Sequence, residues 1–407
     1  MDNSEKLIQS PLLQIIAIIY LSIETCFRPI IKYFEWHHDG IRINISVIYA
    51  ILLIIALIEI ILKLHSRRLI FPKDLSQSLA IILIIFIGLY ELFHFPYITN
   101  HAIYRIDKFF LFYFSESVVR ASLFLISGFY LFNIINNKKL NNLFISFWVI
   151  FTTVVFLFTD YNSDFFTSSI EVTREHNNYL MMSDAYAMLS FFIIANGRKL
   201  IVKFSVILIS FFALYFLKSR ASLYTFLVIN LIGLILMNKQ LLWFIFIVSV
   251  ISLFTYDWSD FFRMNSNNRM FRLATFGQDA SANIRANILS SGLNEIKANW
   301  LWGQFMGDVL IEKNTGTYIH NILSYLRQYG FFPFLFLIVI VVRNYLKLFY
   351  SVVNKNWSKS MQFVFLFGVH CLVLSLFARS FLYSGIWMFF TAIPVLIQNN
   401  KQSNSSN

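Results

Sequence analysis

The segment GTYIHNILSYLRQYGFF, residues 316–332, combines side chains that bind anions and transfer protons with the start of an apolar run. His320, Ser324 and Arg327 are spaced i, i+4 and i+7, so a helix that includes all three presents them on one face. An ionisable group at a membrane boundary normally faces a water-filled cavity or a charged partner, which favours a functional site here. The alternative is that His320 and Asn321 cap a helix that has not yet entered the lipid.

Three further cations are candidates for the same site. Lys218 and Arg220 lie in FLKSRASLYTF, a short connection between two apolar runs, and Arg285 lies in the polar segment before residue 316. Arginine presents a planar fork of donors that matches phosphate oxygens, so these residues indicate an anionic ligand. For Arg285 taken alone, the competing interpretation is a solvated charge on the polar face of a helix.

These residues belong to a chain that is too apolar for a soluble domain. Of its 407 residues, 58% are hydrophobic and only 13% are charged, and the mean hydropathy is +0.65. Phenylalanine is abundant, with 47 residues, whereas glycine (13) and proline (6) are scarce, which favours regular helices over strands. The formal net charge of +12 forms no basic tail or aromatic-spaced patch, so nucleic acid is not an expected partner. We predict an all-α integral membrane protein.

The apolar runs predict about 12 membrane-spanning helices in a single polytopic membrane domain, residues 1–407. The runs are 9–27, 45–62, 78–96, 111–135, 142–159, 179–196, 200–217, 221–237, 241–256, 321–342, 361–378 and 383–398. Lysine and arginine are concentrated in alternate connections, among them Lys63, Lys138, Lys139, Lys199 and Lys347, which places both termini in the cytoplasm. His320, Arg220 and Arg285 then lie on the outer side.

Residues 257–320, between the ninth and tenth runs, are predicted to form one large loop on that outer side. Connections of this length in compact proteins usually carry function. Within the loop, SANIRANILSSGLNEIKANW places an apolar stripe at helical spacing, formed by Ile284, Ile288, Leu289, Leu293 and Ile296. We expect an amphipathic helix against the membrane-facing rim of the bundle.

Other polar groups have simpler interpretations. Arg120 and Asp184 interrupt two of the apolar runs, and we expect them to pair with each other inside the membrane. Arg379, in LFARSF at the outer end of the eleventh run, is a further polar group near a span. The segment FEWHHDG contains possible metal ligands, namely Glu35, His37, His38 and Asp39, but adjacent residues rarely point the same way, so an interfacial loop is preferred.

Three motifs resemble the signatures of the O-antigen ligase/polymerase superfamily. They are KSRASL around Arg220, NIR followed by the predicted amphipathic helix and NWLWGQFMG at 299–307, and YIHNILSYLRQYGFF at 318–332. The sequence departs from the family pattern at Trp300, where proline is frequent, and in WGQFMG, which lacks one of the usual glycines. The resemblance implies a multi-span bacterial glycosyltransferase with a GT-C-type fold.

The resemblance also implies a reaction, in which a glycan passes from undecaprenyl diphosphate to an acceptor hydroxyl at the periplasmic face of the bacterial inner membrane. It assigns catalytic roles to Arg220, Arg285 and His320. The two arginines would stabilise the leaving diphosphate and the imidazole would accept the proton of the acceptor hydroxyl. Candidates for substrate binding are Lys218, Tyr318, Asn321, Arg327 and Arg379. Because guanidinium groups would do the work of a divalent ion, no metal or other cofactor is expected.

The expected partners are an undecaprenyl-diphosphate-linked glycan, the lipid bilayer and a chain-length regulator protein. A polymerase, which joins lipid-linked repeat units, is the leading hypothesis because GTYIHNILSYLRQYG resembles polymerases slightly more closely. The first alternative is an O-antigen ligase, which places the finished polymer on lipid A-core. The second is a transporter of the same lipid-linked sugars, against which the sequence shows no internal repeat and no Gly/Pro-interrupted half-helices.

Overall fold

The computed structural model describes residues 10–31, 44–66, 74–100, 103, 106–160, 165–166, 178–237, 280–312, 318–354 and 357–405. Nearly all of these residues are helical. The helices are α1 (Pro11–Ile31), α2 (Ile45–His65), α3 (Leu75–Thr99), α4 (Ile106–Asn136), α5 (Lys138–Leu157), α6 (Asn178–Asn196), α7 (Leu200–Phe216), α8 (Arg220–Met237), α9 (Ala280–Asn299), α10 (Gly307–Glu312), α11 (Leu323–Tyr329), α12 (Phe331–Val353), α13 (Lys359–Phe377) and α14 (Trp387–Ser405). Two short strands, β1 (Thr159–Asp160) and β2 (Phe165–Phe166), pair antiparallel.

Eight of the described helices are long and apolar enough to cross a membrane: α1 to α5, α8, α12 and α13. Three shorter apolar helices cover Leu180–Asn196, Leu200–Phe216 and Ser384–Asn399. Together they correspond to eleven of the predicted runs, and the remaining run, 241–256, lies outside the described residues. The prediction of a helical integral membrane protein is confirmed, whereas the full set of 12 spans and the periplasmic side of the long loop stay predictions.

The cations that predict the cytoplasmic side gather at one end of the bundle. Several helices begin there with a side-chain cap. At the start of α3, for example, the carboxylate of Asp74 accepts a hydrogen bond of 2.8 Å from Ser76 N. Asp74 also pairs with Lys347 of α12, which ties the start of α3 to the later part of α12. Lys203 of α7 donates a 2.7 Å hydrogen bond to Gln362 of α13. We name this region the cationic end.

The second half of α4 forms the centre of the bundle and packs closely against α14. A Cβ atom on Gly128 would lie 2.1 Å from both the carbonyl oxygen of Met388 and Oγ1 of Thr391, so only glycine permits this approach. Thr391 Oγ1 donates a 2.7 Å hydrogen bond to the carbonyl of Leu125 across the same contact. Small residues at such contacts are typical of helix packing in membranes, where close backbone approach replaces the hydrophobic driving force.

The predicted span over 321–342 is wrong in one respect, because the chain breaks at Gly330. This residue has φ +79°, so it ends α11 and begins α12 in a conformation that favours glycine. The segment after α9 packs against the break, where Phe331 N donates to the carbonyl of Leu301 (3.1 Å) and Gln304 N donates to that of Arg327 (2.8 Å). The polar residues of YIHNILSYLRQYG therefore precede the spanning helix.

Replacing Gly330 by alanine is expected to lower the free energy of unfolding by about 1–3 kcal/mol, the usual cost of overpacking. The new Cβ would lie 2.3 Å from the carbonyl oxygen of Leu301 in a backbone conformation that alanine rarely adopts. Equilibrium unfolding in detergent micelles measures the change. Gly88→Ala is the matched control, because its Cβ would meet only two side-chain carbons of Val118, at 3.4 and 3.9 Å. Equal losses in the two variants would contradict this account.

Helix α9 forms where the sequence predicts an amphipathic helix, but its apolar stripe is not buried by the bundle. Ile284 is 59% exposed and Leu293 is 38% exposed. The helix is instead joined to α11 by Glu295, which pairs with Arg327, and Gly292 lies against the side chain of Ile319 in the segment before α11. The exposed stripe is compatible with contact to lipid, and that contact stays a prediction.

Candidate functional site

A cavity of about 180 Å³ opens at the end of the bundle opposite the cationic end. It is lined by the later part of α1, the middle of α4, the first part of α6, and residues around 320 and 378–385. Among the described residues, its charged lining consists of three arginines and three carboxylates, namely Arg28, Arg120, Arg379, Glu24, Glu116 and Asp184. Ligand pockets commonly enclose ~300–1,000 Å³, so this cavity holds only one part of a large ligand.

Arg379 and Asp184 form a paired group on one side of the cavity. The guanidinium Nε donates to Asp184 Oδ2 at 3.0 Å and Nη2 donates to Oδ1 at 2.8 Å, a bidentate arrangement that fixes its orientation. Ser222 of α8 completes the group, because its hydroxyl accepts from Arg379 Nη2 (2.9 Å) and donates to Asp184 Oδ1 (2.7 Å). The predicted Arg379 contact thus lies in the cavity wall, next to the helix that Arg220 begins.

Four charged residues of α1 and α4 form the other side, and we call them the quartet: Glu24, Arg28, Glu116 and Arg120. Arg120 bonds to both carboxylates, and Arg28 bridges them through contacts of 3.2 Å to Glu24 and 3.0 Å to Glu116. The predicted pairing of Arg120 with Asp184 is therefore wrong. Each residue has a nearer partner, since Glu116 is one helical turn from Arg120 and Asp184 binds Arg379.

His320 lines the cavity beside Tyr318, and the centroids of the two rings are 5.1 Å apart. Burial, together with the positive charges of Arg285 and Arg379, lowers the pKa of His320 from its usual 6.5 to about 4. Arg285 of α9 therefore acts electrostatically on this imidazole, as the sequence predicts for two members of one site. With this lowered pKa the imidazole is neutral at physiological pH, so it is able to accept a proton.

The pH dependence of the reaction is expected to reflect this lowered pKa. The neutral form of His320 persists until the pH falls towards about 4, so kcat/KM, which reports the free enzyme, should stay nearly constant between about pH 6 and pH 8. Initial rates at low substrate concentration across this range measure the profile. The lowered pKa would be contradicted if kcat/KM fell to half its maximum near pH 6.5 and this pH dependence were absent in His320→Gln.

Two cations predicted from KSRASL do not line the described part of this cavity. Arg220 is the first residue of α8 and lies two positions before Ser222, which contacts Arg379. Lys218 is buried in the turn before α8, has φ +53°, and places its Nζ 4.4 Å from the ring centroid of Tyr215. Their predicted roles in binding diphosphate stay predictions, with Arg220 close to the cavity along the chain.

The polar residues of α11 have mainly structural contacts. Arg327 forms two 2.7 Å hydrogen bonds with the carboxylate of Glu295, so it fastens α9 to α11 and does not line the cavity in the described residues. Asn321 Oδ1 accepts from Leu323 N at 2.9 Å, a local turn that leads into α11. The predicted common face of His320, Ser324 and Arg327 is wrong, because His320 precedes the helix, while Ser324 accepts a 2.7 Å hydrogen bond from Phe381 N.

Sequence reasoning missed three members of the quartet: Glu24, Arg28 and Glu116. A signal for them was present, since Glu24 and Arg28, like Glu116 and Arg120, are charged pairs at i, i+4 within or at the end of apolar runs. The possible metal ligands of FEWHHDG lie outside the described residues. Within the described ranges, no group of three or more histidine, cysteine, aspartate or glutamate side chains could hold a metal ion.

The fold and the cavity define a polytopic helical membrane protein with a buried, charge-lined site at one end. Residues 205–338 match the family model described as O-antigen ligase, which confirms the resemblance drawn from the three motifs. This segment is about a third of the chain and includes Arg220, Arg285 and His320 but none of the quartet. It supports a function of the O-antigen ligase or polymerase type, that of a glycosyltransferase-like enzyme. No curated protein and no solved structure matches the chain.

Proposed function

We propose that the protein is an O-antigen polymerase of the bacterial inner membrane. It transfers the growing glycan from undecaprenyl diphosphate to a hydroxyl of another lipid-linked repeat unit at the periplasmic face. The observation that carries this proposal is the neutral imidazole of His320 in a cavity with Arg379, within reach of the charge of Arg285 and inside the segment matched by the family model.

In the proposed reaction, a base takes up a proton from the acceptor while cations stabilise the negative charge on the leaving diphosphate. The acceptor oxygen forms a bond to C1 of the donor sugar while the bond from C1 to the diphosphate oxygen breaks. The acceptor proton passes to His320, and the electron pair of the broken bond leaves with the diphosphate. Cations that are held in place before the reaction stabilise this negative charge more in the transition state than in the ground state. Arg379, held by Asp184, and Arg285 fit that role.

A lowered pKa makes His320 of the free enzyme a weak base, and binding of the lipid diphosphate is expected to make it a stronger one. A diphosphate bound beside the imidazole brings negative charge that favours the protonated form and raises its pKa. The base would then gain strength only when the donor is present, which limits proton uptake in the empty site. Guanidinium groups neutralise phosphate oxygens through hydrogen bonds and positive charge, a role that a divalent ion would fill by coordination. The proposed chemistry therefore needs no metal.

Purified protein in lipid nanodiscs, supplied with undecaprenyl-diphosphate-linked repeat units, provides the direct test. We expect lipid-linked products that are longer by whole repeat units, with release of undecaprenyl diphosphate. Movement of the lipid-linked sugar across a vesicle membrane without any new glycosidic bond would instead identify a transporter and overturn the proposal.

An O-antigen ligase is the second candidate, and the description of the matching family model favours it. It would use the same donor and the same cavity but transfer the polymer to lipid A-core. Cells that lack a polymerase should carry core with a single repeat unit, whereas cells that lack a ligase should carry bare core and accumulate lipid-linked polymer. A bare-core phenotype on deletion would decide for the ligase.

Substitution of Arg220 tests whether this residue takes part in the diphosphate site. Arg220→Ala should lower the transfer rate by about a hundredfold to a thousandfold, the usual effect of removing one donor to a developing charge. Arg220→Lys should also be poorly active, because lysine retains the charge but not the bidentate fork. Rates are measured in nanodiscs at equal protein content, with Arg343→Ala, an exposed residue of α12, as control. Normal activity in Arg220→Ala would remove Arg220 from the site.

A further inference from the structure

Two of the described helices widen into π-helical turns where they meet the cavity. These turns are Ile23–Phe27 in α1 and Ser115–Val119 in α4. Each turn contains one carboxylate that lines the cavity, Glu24 in the first and Glu116 in the second. π-Helical turns are rare and occur frequently at functional sites, because the wider turn redirects side chains. Both helices therefore depart from regular geometry at the residues that contribute to this wall.

The quartet built on these turns is buried and electrically balanced. The side chains of Glu24, Arg28, Glu116 and Arg120 are each between 8% and 13% exposed. Two carboxylates and two guanidinium groups sum to no net charge at neutral pH. Tyr49 of α2 donates a further 2.6 Å hydrogen bond to Glu24 Oε2, which fixes this carboxylate from the side. The quartet is therefore a rigid polar wall rather than a cationic one.

Hydrogen-bonding capacity remains in this wall. Arg120 is only 9% exposed, yet its Nε–H has no hydrogen-bond partner among the described residues. A buried donor without a partner is costly, so the network does not satisfy every group of the wall. Each oxygen of Glu116 accepts from one guanidinium, so each has a second lone pair available. Because Glu116 lines the cavity, the wall offers these acceptors to its occupant, whereas the Arg120 Nε–H is enclosed within the wall.

The balanced charge and the hydrogen-bonding groups of this wall indicate which class of ligand it binds. A diphosphate offers only acceptors and negative charge, so the carboxylates of the quartet oppose it. Beside His320, the positive charge of Arg285 is added to the balanced pair of Arg379 and Asp184, which suits a diphosphate better. Sugar hydroxyls both donate and accept hydrogen bonds, and paired carboxylates and guanidiniums match them without attracting an ion. Phe112 and Tyr318 add aromatic surface to the same cavity.

We propose that the quartet is a sugar-binding subsite, which holds hydroxyls of the lipid-linked glycan opposite the side that receives the diphosphate. This proposal rests on the proposed function and adds to it the element that recognises the sugar. All four residues lie outside the segment matched by the family model, residues 205–338. Sugar recognition is then assigned to α1 and α4, while the residues that act on the diphosphate come from the matched segment and from the chain after α13.

Binding measurements on the protein in nanodiscs test the subsite without requiring catalysis. The probes are undecaprenyl diphosphate carrying one repeat unit, sugar-free undecaprenyl diphosphate, and the free oligosaccharide of one repeat unit. We expect the wild type to bind the sugar-bearing lipid about tenfold more tightly than the sugar-free lipid, as a few added hydrogen bonds to charged groups allow. Equal affinities in the wild type would overturn the proposal.

Glu116→Gln should remove most of that difference and leave the affinity for sugar-free lipid within about twofold. Because this variant leaves a buried cation unbalanced, the double variant Glu116→Gln/Arg120→Gln is measured beside it, since it removes one charge of each sign. Glu59→Gln is the matched control, as Glu59 bonds to Ser10 and Lys63 of the cationic end. Equal loss of affinity for both lipids would place the quartet at the diphosphate and contradict the subsite.

The free oligosaccharide tests whether the subsite recognises the sugar itself. We expect Glu116→Gln to weaken its binding as well, because the subsite contacts the sugar and not the lipid diphosphate. Unchanged binding of the free oligosaccharide in this variant would contradict the subsite. Failure of the proposed function would appear separately, as absence of a new glycosidic bond in the wild type while the sugar-dependent binding persists.

Discussion

Arg120→Ala is expected to lower the free energy of unfolding by about 3–5 kcal/mol, the cost of removing one member of a buried ion pair. Arg120 is bonded to both Glu24 and Glu116, and its loss leaves two buried carboxylates with Arg28 as their common cation in the quartet. Desolvated like charges repel strongly when no second cation lies between them. Equilibrium unfolding in mixed micelles measures the change.

The quartet also predicts how a second substitution behaves. Arg120→Ala combined with Glu116→Ala leaves the balanced pair of Arg28 and Glu24, so the double variant should lose less stability than the sum of its two single variants. Arg343→Ala, an exposed arginine of α12, should change stability by less than about 0.5 kcal/mol. Additive losses at positions 116 and 120 would show that the network does not act as a unit.

His320→Ala is expected to lower the rate of glycan transfer by about 10²–10⁴-fold, the usual contribution of a general base. The side chain is the imidazole that lines the cavity, and its neutral form is available to take the proton of the acceptor. The amount of folded protein in the membrane should not change, since His320 precedes α11 and is not part of its hydrogen-bonded turns. Single-turnover transfer in nanodiscs separates this step from product release.

A second histidine supplies the control for this result. His94 of α3 is partly buried, bonds to the carbonyl of Tyr90 and does not line the described cavity. His94→Ala should retain transfer within a few fold of the wild type. If His320→Ala transfers glycan at the wild-type rate, another group removes the proton and His320 only shapes the cavity.

The sequence predicted the class of fold well because the signal is local. A run of about 20 apolar residues must become a helix in lipid, since unsatisfied backbone groups are too costly there. Eleven of the predicted runs appear as apolar helices among the described residues, and α9 forms where the spacing indicated an amphipathic helix. The motif around His320 likewise identified a residue that lines the cavity.

Predictions about partners were less accurate, because charged side chains in a bundle bind whatever counter-ion the packing brings near. Arg120 was expected to bind Asp184, yet it binds two glutamates of α1 and α4, and Asp184 binds an arginine that follows α13. Arg327 pairs with Glu295 of α9, a contact that the sequence did not predict, and its role in substrate binding stays a prediction. Of these contacts, only the pair of Glu116 and Arg120 is indicated by its i, i+4 spacing, because the others join residues distant in sequence.

The amino-acid sequence by itself determined that the chain forms apolar helices and that their cations gather at one end of the bundle. It also indicated that the segment around His320 has the chemistry of a site. Only the tertiary structure decided that Gly330 separates this segment from the span, that Arg379 is held by Asp184, and that α1 and α4 supply a polar wall. Helix formation depends on neighbours within a few residues, whereas a cavity depends on side chains distant in sequence. Burial of the charged side chains in a medium of low dielectric constant makes each ion pair strong, and the packing of the helices determines which pairs form.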